Sequence, residues 1–107
     1  MVPNSKVEKR KPTFDLARFM AVFGDPRRLA ITDTTLRTVV EIGFGRNEIS
    51  GVVRAMKPAH FRKSMTSYAD HRKWQDLYHV PHDGTVLYLK FTDDAVTEFT
   101  LLSFKER

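Results

Sequence analysis

Leu16, Phe19, Met20 and Phe23 recur at the i, i+3, i+4, i+7 spacing that gathers apolar side chains on one face of a helix. Thr13 is available to cap the start of that helix and Gly24 to end it. GDPRR then turns the chain, and the short apolar run 29–31 reads as a small strand or a linker. A second helix is expected from about Thr32, with Leu36, Val39 and Val40 on its apolar face, Thr32 or Asp33 as cap, and Gly43 and Gly45 at its end. A third begins near Asn47, where Ile49, Val52, Val53 and Met56 repeat the helical spacing until Lys57 and Pro58 break it.

Beyond Pro58 the chain turns to β-branched and aromatic residues in short runs separated by turn signals. Strands are expected near residues 61–68, 74–79, 85–92 and 95–104, joined by ADHRK, VPHDG and TDD, connections short enough for neighbouring antiparallel strands. In TVLYLKFT the pleat sends Leu87, Leu89 and Phe91 to one face and Tyr88, Lys90 and Thr92 to the other. By the same alternation Gln75 shares a face with Leu77. Three short N-terminal helices packed on an antiparallel sheet from the C-terminal half make an α+β single domain, residues 13–107, with one sheet face covered and one partly open. Residues 1–12, polar, charged and interrupted by proline, read as a flexible basic lead-in.

Composition narrows the setting. A chain of 107 residues supports one modest core, and 41% hydrophobic residues with eight Phe place it among globular sequences. With no cysteine there is neither a disulfide framework nor a thiolate zinc site, and a reducing cytoplasm is the expected location. No apolar run approaches the ~20 residues of a membrane span, so no membrane partner is expected. The net charge of +5 favours polyanionic partners. Its distribution is uneven: residues 1–59 hold 11 basic and 6 acidic groups, residues 60–107 hold 7 of each.

The familiar catalytic patterns do not fit. HVPHD brings His79, His82 and Asp83 close in sequence, but the proline and the turn setting lack the one-face geometry of a helical zinc motif, and no metal is expected. Asp70 and His71 adjoin, with Ser64 and Ser67 nearby, yet triads are defined in space and no G-x-S-x-G is present. GFG lacks the third glycine of a dinucleotide fingerprint. What remains is a sheet half in which Lys63, Arg72, Lys73, Lys90, Lys105 and Arg107 are interleaved with Tyr68, Trp74, Tyr78 and Tyr88. Such a surface suits single-stranded RNA, with cations at phosphates and rings under bases. It also describes an ordinary solvated face with its aromatics in the core.

Three ordered blocks separate these readings: KSMTSYADHRKWQDLY at residues 63–78, VLYLK at 86–90 and SFKE at 103–106. Together they resemble the MqsR family of bacterial type II toxins, whose members carry a K-S-M-T-x-Y-x-D-H-x-x-W-Q-D-x-Y block, a V-Y-L-K strand and a terminal S-F-K-E. The resemblance implies a RelE-like fold and a ribosome-independent endoribonuclease without cofactor that cuts single-stranded mRNA, often at GCU-like triplets. It also implies a cognate, MqsA-like antitoxin. Carried across, the family's site falls on Lys63, Gln75, Tyr88 and Lys105 as catalytic residues. Arg62, Met65, His79, Lys90 and Arg107 are candidate substrate-binding residues. Arg62 and His79 depart from the best-known member, which has a tyrosine and an arginine there. The resemblance leaves Asp70 and His71 to close a turn through side-chain to backbone bonds. Two rival expectations stand beside it: a non-catalytic RNA-binding or transcription-control module of the same fold, and a histidine-based nuclease or metal enzyme using His71, His79 or His82.

Overall fold

The computed structural model describes residues 7–66 and 72–101. Helix α1 spans Leu16–Phe23, α2 spans Asp33–Glu41 and α3 spans Arg46–Arg54. A short 3-10 turn at Pro58–His60 leads into the sheet. Strand β1 is Glu8–Lys9, β2 is Phe61–Thr66, β3 is Trp74–His82, β4 is Thr85–Phe91 and β5 is Val96–Leu101. They lie in the order β1-β2-β3-β4-β5, every neighbouring pair antiparallel. Apart from the added β1, this is the α+β architecture that the periodicities predict.

The cap of α1 is Asp15 and not Thr13. The Asp15 carboxylate accepts from the backbone N–H groups of Ala17 at 2.9 Å and Arg18 at 3.3 Å. Thr13 is engaged elsewhere: its N–H, with that of Phe14, is held by the Asp76 carboxylate on β3 at 2.9–3.1 Å. The Thr13 hydroxyl lies 2.6 Å from that of Ser64 on β2. The chain is thus tied to the sheet before the helix begins. Gly24 is the C-cap of α1, and the space there admits only glycine, since a Cβ would meet the Met20 carbonyl oxygen at 2.5 Å and the Arg54 side chain at 2.8 Å.

Arg46, Ser50 and Arg54 recur every fourth residue on α3 and form its polar stripe, turned to the connector after α1. Arg54 donates to the Gly24 carbonyl and Arg46 to that of Leu29. Arg46 also reaches the Pro26 carbonyl at 3.1 Å, and the buried Ser50 hydroxyl donates to the Phe23 carbonyl at 2.9 Å. Within the same connector, Arg27 beside Asp25 holds that carboxyl below its ordinary range, chiefly through its backbone N–H. The apolar face of α3 behaves as expected, with Ile49, Val52, Val53 and Met56 all buried. On α2 the expectation is half met. Thr32 caps it and Val39 is buried, but Val40 is 63% exposed. The helix packs against β5 through Thr35 and Val39, four residues apart, which turns the next residue, ~100° round, toward solvent. Residues 29–31 form no full strand: Ile31 makes one parallel bridge with Val96.

Two departures concern the sheet. Glu8 and Lys9, expected in the lead-in, are paired with Met65 and Ser64 of β2. Val7 N–H donates to the Thr66 hydroxyl and Thr66 N–H to the Val7 carbonyl, both at 2.9 Å, so the segment satisfies a strand edge that would otherwise stand open. Strand β3 also continues through VPH to His82, and the turn is only Asp83 and Gly84, with φ of 49° and 75°. That is the two-residue D-G hairpin geometry. Pro81 fits in β3 because β2 pairs with it only as far as Tyr78, leaving the end of β3 as an edge on that side.

The core lies between the helices and one sheet face. Phe91 is its centre, stacked on Phe19 at 3.7 Å between ring centroids and 5.7 Å from the ring of Tyr78. Tyr78, Val80, Leu87, Leu89, Val96 and Phe99 complete the covered face. Tyr78, one of the aromatics that could have stacked on a base, is thereby a core residue. Burial, and secondarily the charge of Asp76, push its phenol up to about 12.

Candidate active site

The alternation that sends Tyr78 and Leu89 into the core sends their neighbours to the opposite, open face. Lys63 and Met65 come from β2, Gln75, Leu77 and His79 from β3, Tyr88 and Lys90 from β4, and Glu98 and Thr100 from β5. Register aligns them in rows: Lys63 opposite Leu77 opposite Lys90 opposite Glu98, with Met65 opposite Gln75, and His79 opposite Tyr88 opposite Thr100. At ~4.8 Å between strands, the backbones of Lys63 and Lys90 stand about 10 Å apart.

Of the four expected catalytic residues, this face gathers Lys63, Gln75 and Tyr88; Lys105 lies outside the described residues. The Lys63 side chain is 38% exposed, and its ammonium contacts the Glu8 carboxylate at 2.9 Å. The Gln75 side-chain oxygen accepts from the Thr97 hydroxyl at 2.6 Å. Thr97 can reach it because a bulge in β5, where the pairing shifts between Lys90 and Phe91, adds a residue to the strand. Its hydroxyl lies also 3.2 Å from the Lys90 carbonyl, so the Gln75 side chain is held against the β4–β5 ladder. Tyr88 is half-buried, its ring 5.7 Å from the His79 imidazole and 5.8 Å from the Lys90 ammonium.

The substrate-binding candidates divide in the same way. His79 and Lys90 flank Tyr88 on the open face. The Lys90 side chain is only 14% exposed and pairs with Glu98 at 3.1 Å. Met65 shares the face but is 2% exposed, a packing residue beside Gln75. Arg62 is exposed at a second irregularity, where the β2–β3 pairing shifts between Phe61 and Lys63. Arg107, and the turn residues Asp70 and His71, lie outside the described residues.

The histidines of HVPHD separate. His79 is on the open face, whereas His82, three residues on, is on the covered side with its ring 5.5 Å from that of Phe44. Among the described residues no three His, Cys, Asp or Glu side chains are grouped to hold a metal ion. A cavity of about 470 Å³ lies on the covered side, floored by Phe14, Phe19, Phe23 and Phe91, and contributes nothing to this face.

Sequence reasoning missed the partners: Glu8 for Lys63, Glu98 for Lys90 and Thr97 for Gln75. Each belongs to a strand whose register or bulge must be known before the pairing can be seen. Asp76 was more accessible. It lies inside the W-Q-D block, two residues before the buried Tyr78, and strand alternation turns it to the covered face.

A helix-covered sheet whose other face carries lysines, an amide, a phenol and an imidazole defines a small α+β domain equipped to handle a polar, charged ligand. The family described as "Motility quorum-sensing regulator, toxin of MqsA" matches residues 11–106, and the chain belongs to that MqsR toxin family. It is 30% identical over 101 residues to the mRNA interferase toxin MqsR of Escherichia coli (strain K12), an alignment covering 94% of this chain and 100% of that protein. No helix among the described residues is long and apolar enough to cross a membrane.

Proposed function

We propose that this chain is the toxin of a type II toxin–antitoxin pair in the cytoplasm, an endoribonuclease that cuts single-stranded mRNA without the ribosome or a metal cofactor. The observation that carries the reading is the convergence of Lys63, Gln75 and Tyr88 on one sheet face, drawn from three successive strands. In the proposed reaction the 2′-oxygen of the RNA attacks the adjacent phosphorus and the 5′-oxygen leaves. Charge builds on the phosphorane as it forms, and two protons move: the 2′-hydroxyl releases one to solvent as it attacks, and the 5′-oxygen takes one up as it leaves. Lys63 supplies fixed positive charge to that phosphorane, as does Lys105 in the terminal SFKE block. Gln75, restrained by Thr97, orients a phosphate oxygen or a base edge. Tyr88 donates a proton or stacks on a base, and Lys90 and His79 beside it bind the backbone. The proposed targets are GC-containing triplets such as GCU, and the proposed partner is an MqsA-like antitoxin that neutralises the toxin by complex formation.

The test is incubation of the purified protein with a defined single-stranded RNA in excess EDTA, followed by analysis of product ends. Cleavage that survives chelation and leaves 2′,3′-cyclic phosphates is expected, because ammonium, amide and phenol groups need no metal to act as described. Loss of cleavage on chelation would overturn the metal-free mechanism. Binding without cleavage in any buffer would favour the non-catalytic module.

A further inference from the structure

We propose that Glu8, delivered to the open face by β1, is a positioning residue that fixes the ammonium of Lys63 for RNA cleavage. The inference rests on the endoribonuclease reading and extends its site to the N-terminal segment.

A lysine is a point charge on a four-carbon stem with considerable rotamer freedom. To stabilise a developing phosphorane its ammonium must already stand where the charge will appear, and misplacement by about 1 Å can cost ~100-fold in rate. Lys63 has such a restraint in the Glu8 carboxylate at 2.9 Å. Glu8 is itself restrained. The reciprocal bonds between Val7 and Thr66 pin the residue before it. Pairing with Met65 puts Glu8 on the Lys63 side of the sheet, and Lys9, held over the Trp74 ring at 4.2 Å, anchors the residue after it. The carboxylate therefore arrives by sheet geometry, attached on both sides.

Stability does not account for the pair. The side chains of Lys63 and Glu8 are 38% and 47% exposed, and ion pairs at that exposure contribute little to folding. What the contact does supply is direction for the one described cation among the expected catalytic residues. A carboxylate beside a phosphate-binding lysine also opposes nucleic-acid binding by charge alone. Positioning and masking consequently predict opposite results when Glu8 is removed: a slower reaction for the first, tighter binding with an equal or faster reaction for the second.

The experiment measures kcat and KM on one labelled single-stranded RNA for the full chain and for Glu8→Ala, Glu8→Gln, Lys63→Ala and the double variant Glu8→Ala/Lys63→Ala. Glu8→Ala should lower kcat by roughly 10-fold or more, with KM unchanged or lower. Glu8→Gln keeps an acceptor for the ammonium and should recover part of that loss. The double variant should be no slower than Lys63→Ala alone, because both substitutions remove one function. Thermal unfolding midpoints should match that of the unaltered chain, separating positioning from damage to the fold. A Glu8→Ala enzyme as fast as the unaltered one or faster, or a double variant whose losses multiply, would overturn the proposal. If Lys63→Ala is slow and Glu8→Ala is not, positioning fails while the endoribonuclease reading stands. If the unaltered chain does not cleave, both fall.

Discussion

The two faces of the sheet use polar side chains in opposite ways. On the covered face the carboxylate of Asp76 is fully buried and accepts from the backbone of Thr13 and Phe14, while Ser64 lies against Thr13 and the Gln75 carbonyl. On the open face the polar groups hold one another by their side chains: Lys63 to Glu8, Lys90 to Glu98, Gln75 to Thr97. A buried polar group tied to backbone leaves unsatisfied N–H groups behind when it is removed, so its loss is felt in folding. An exposed pair of side chains such as Lys63 and Glu8 can be dismantled with water as the replacement partner. Its loss should be felt in whatever the face does.

The largest expected effect lies on the covered side. Asp76→Ala should cost about 3 kcal/mol of unfolding free energy in a denaturant titration, because two N–H groups lose a charged acceptor. Asp76→Asn, which keeps one acceptor oxygen, should recover part of it. On the open face, Lys63→Ala should slow RNA cleavage by roughly 100-fold, as loss of one transition-state charge partner does elsewhere, with unfolding free energy changed by less than about 1 kcal/mol. A comparable loss of stability would show that the open face also carries the fold.

A smaller effect follows from the Tyr78 phenol, whose titration is raised from 10 to about 12 in the folded protein. The folded state therefore keeps this proton where the unfolded chain has lost it. The stabilisation is complete below pH 10 and disappears as pH rises through 12, a loss of roughly 2–3 kcal/mol. Unfolding measured between pH 9 and pH 12 should show this extra loss relative to Tyr78→Phe, which lacks the titrating group. Equal pH dependence in the two proteins would remove burial of the phenol from the account.

Much of this arrangement was legible in the chain. Periodicity located all three helices and four of the five strands, and the alternation in TVLYLKFT correctly divided Leu87, Leu89 and Phe91 from Tyr88 and Lys90. Where it failed, the missing information was long-range. Thr13 looks like a helix cap until Asp76, 63 residues away, takes its N–H. Glu8 and Lys9 have no strand pattern of their own and pair because β2 offers an edge. Alternation puts the polar Gln75 on the same face as the apolar Leu77. The open face holds both, with Leu77 buried between Lys63 and Lys90 in their shared row and the Gln75 side-chain oxygen bonded to a threonine that the β5 bulge brings to it.

Gln75 and Asp76 are chain neighbours pointing to opposite faces of β3, and so offer the most direct test of the division. Unfolding free energy and RNA cleavage rate should be measured side by side for Gln75→Ala and Asp76→Ala. Gln75→Ala is expected to stay within about 1 kcal/mol of the unaltered chain and to cleave at least ~10-fold more slowly. Asp76→Ala is expected to lose about 3 kcal/mol and, at a temperature where it remains folded, to cleave at close to the unaltered rate. If Gln75→Ala instead unfolds readily and cleaves normally once folded, or Asp76→Ala is stable and inactive, the assignment of chemistry to the open face and support to the covered one is wrong.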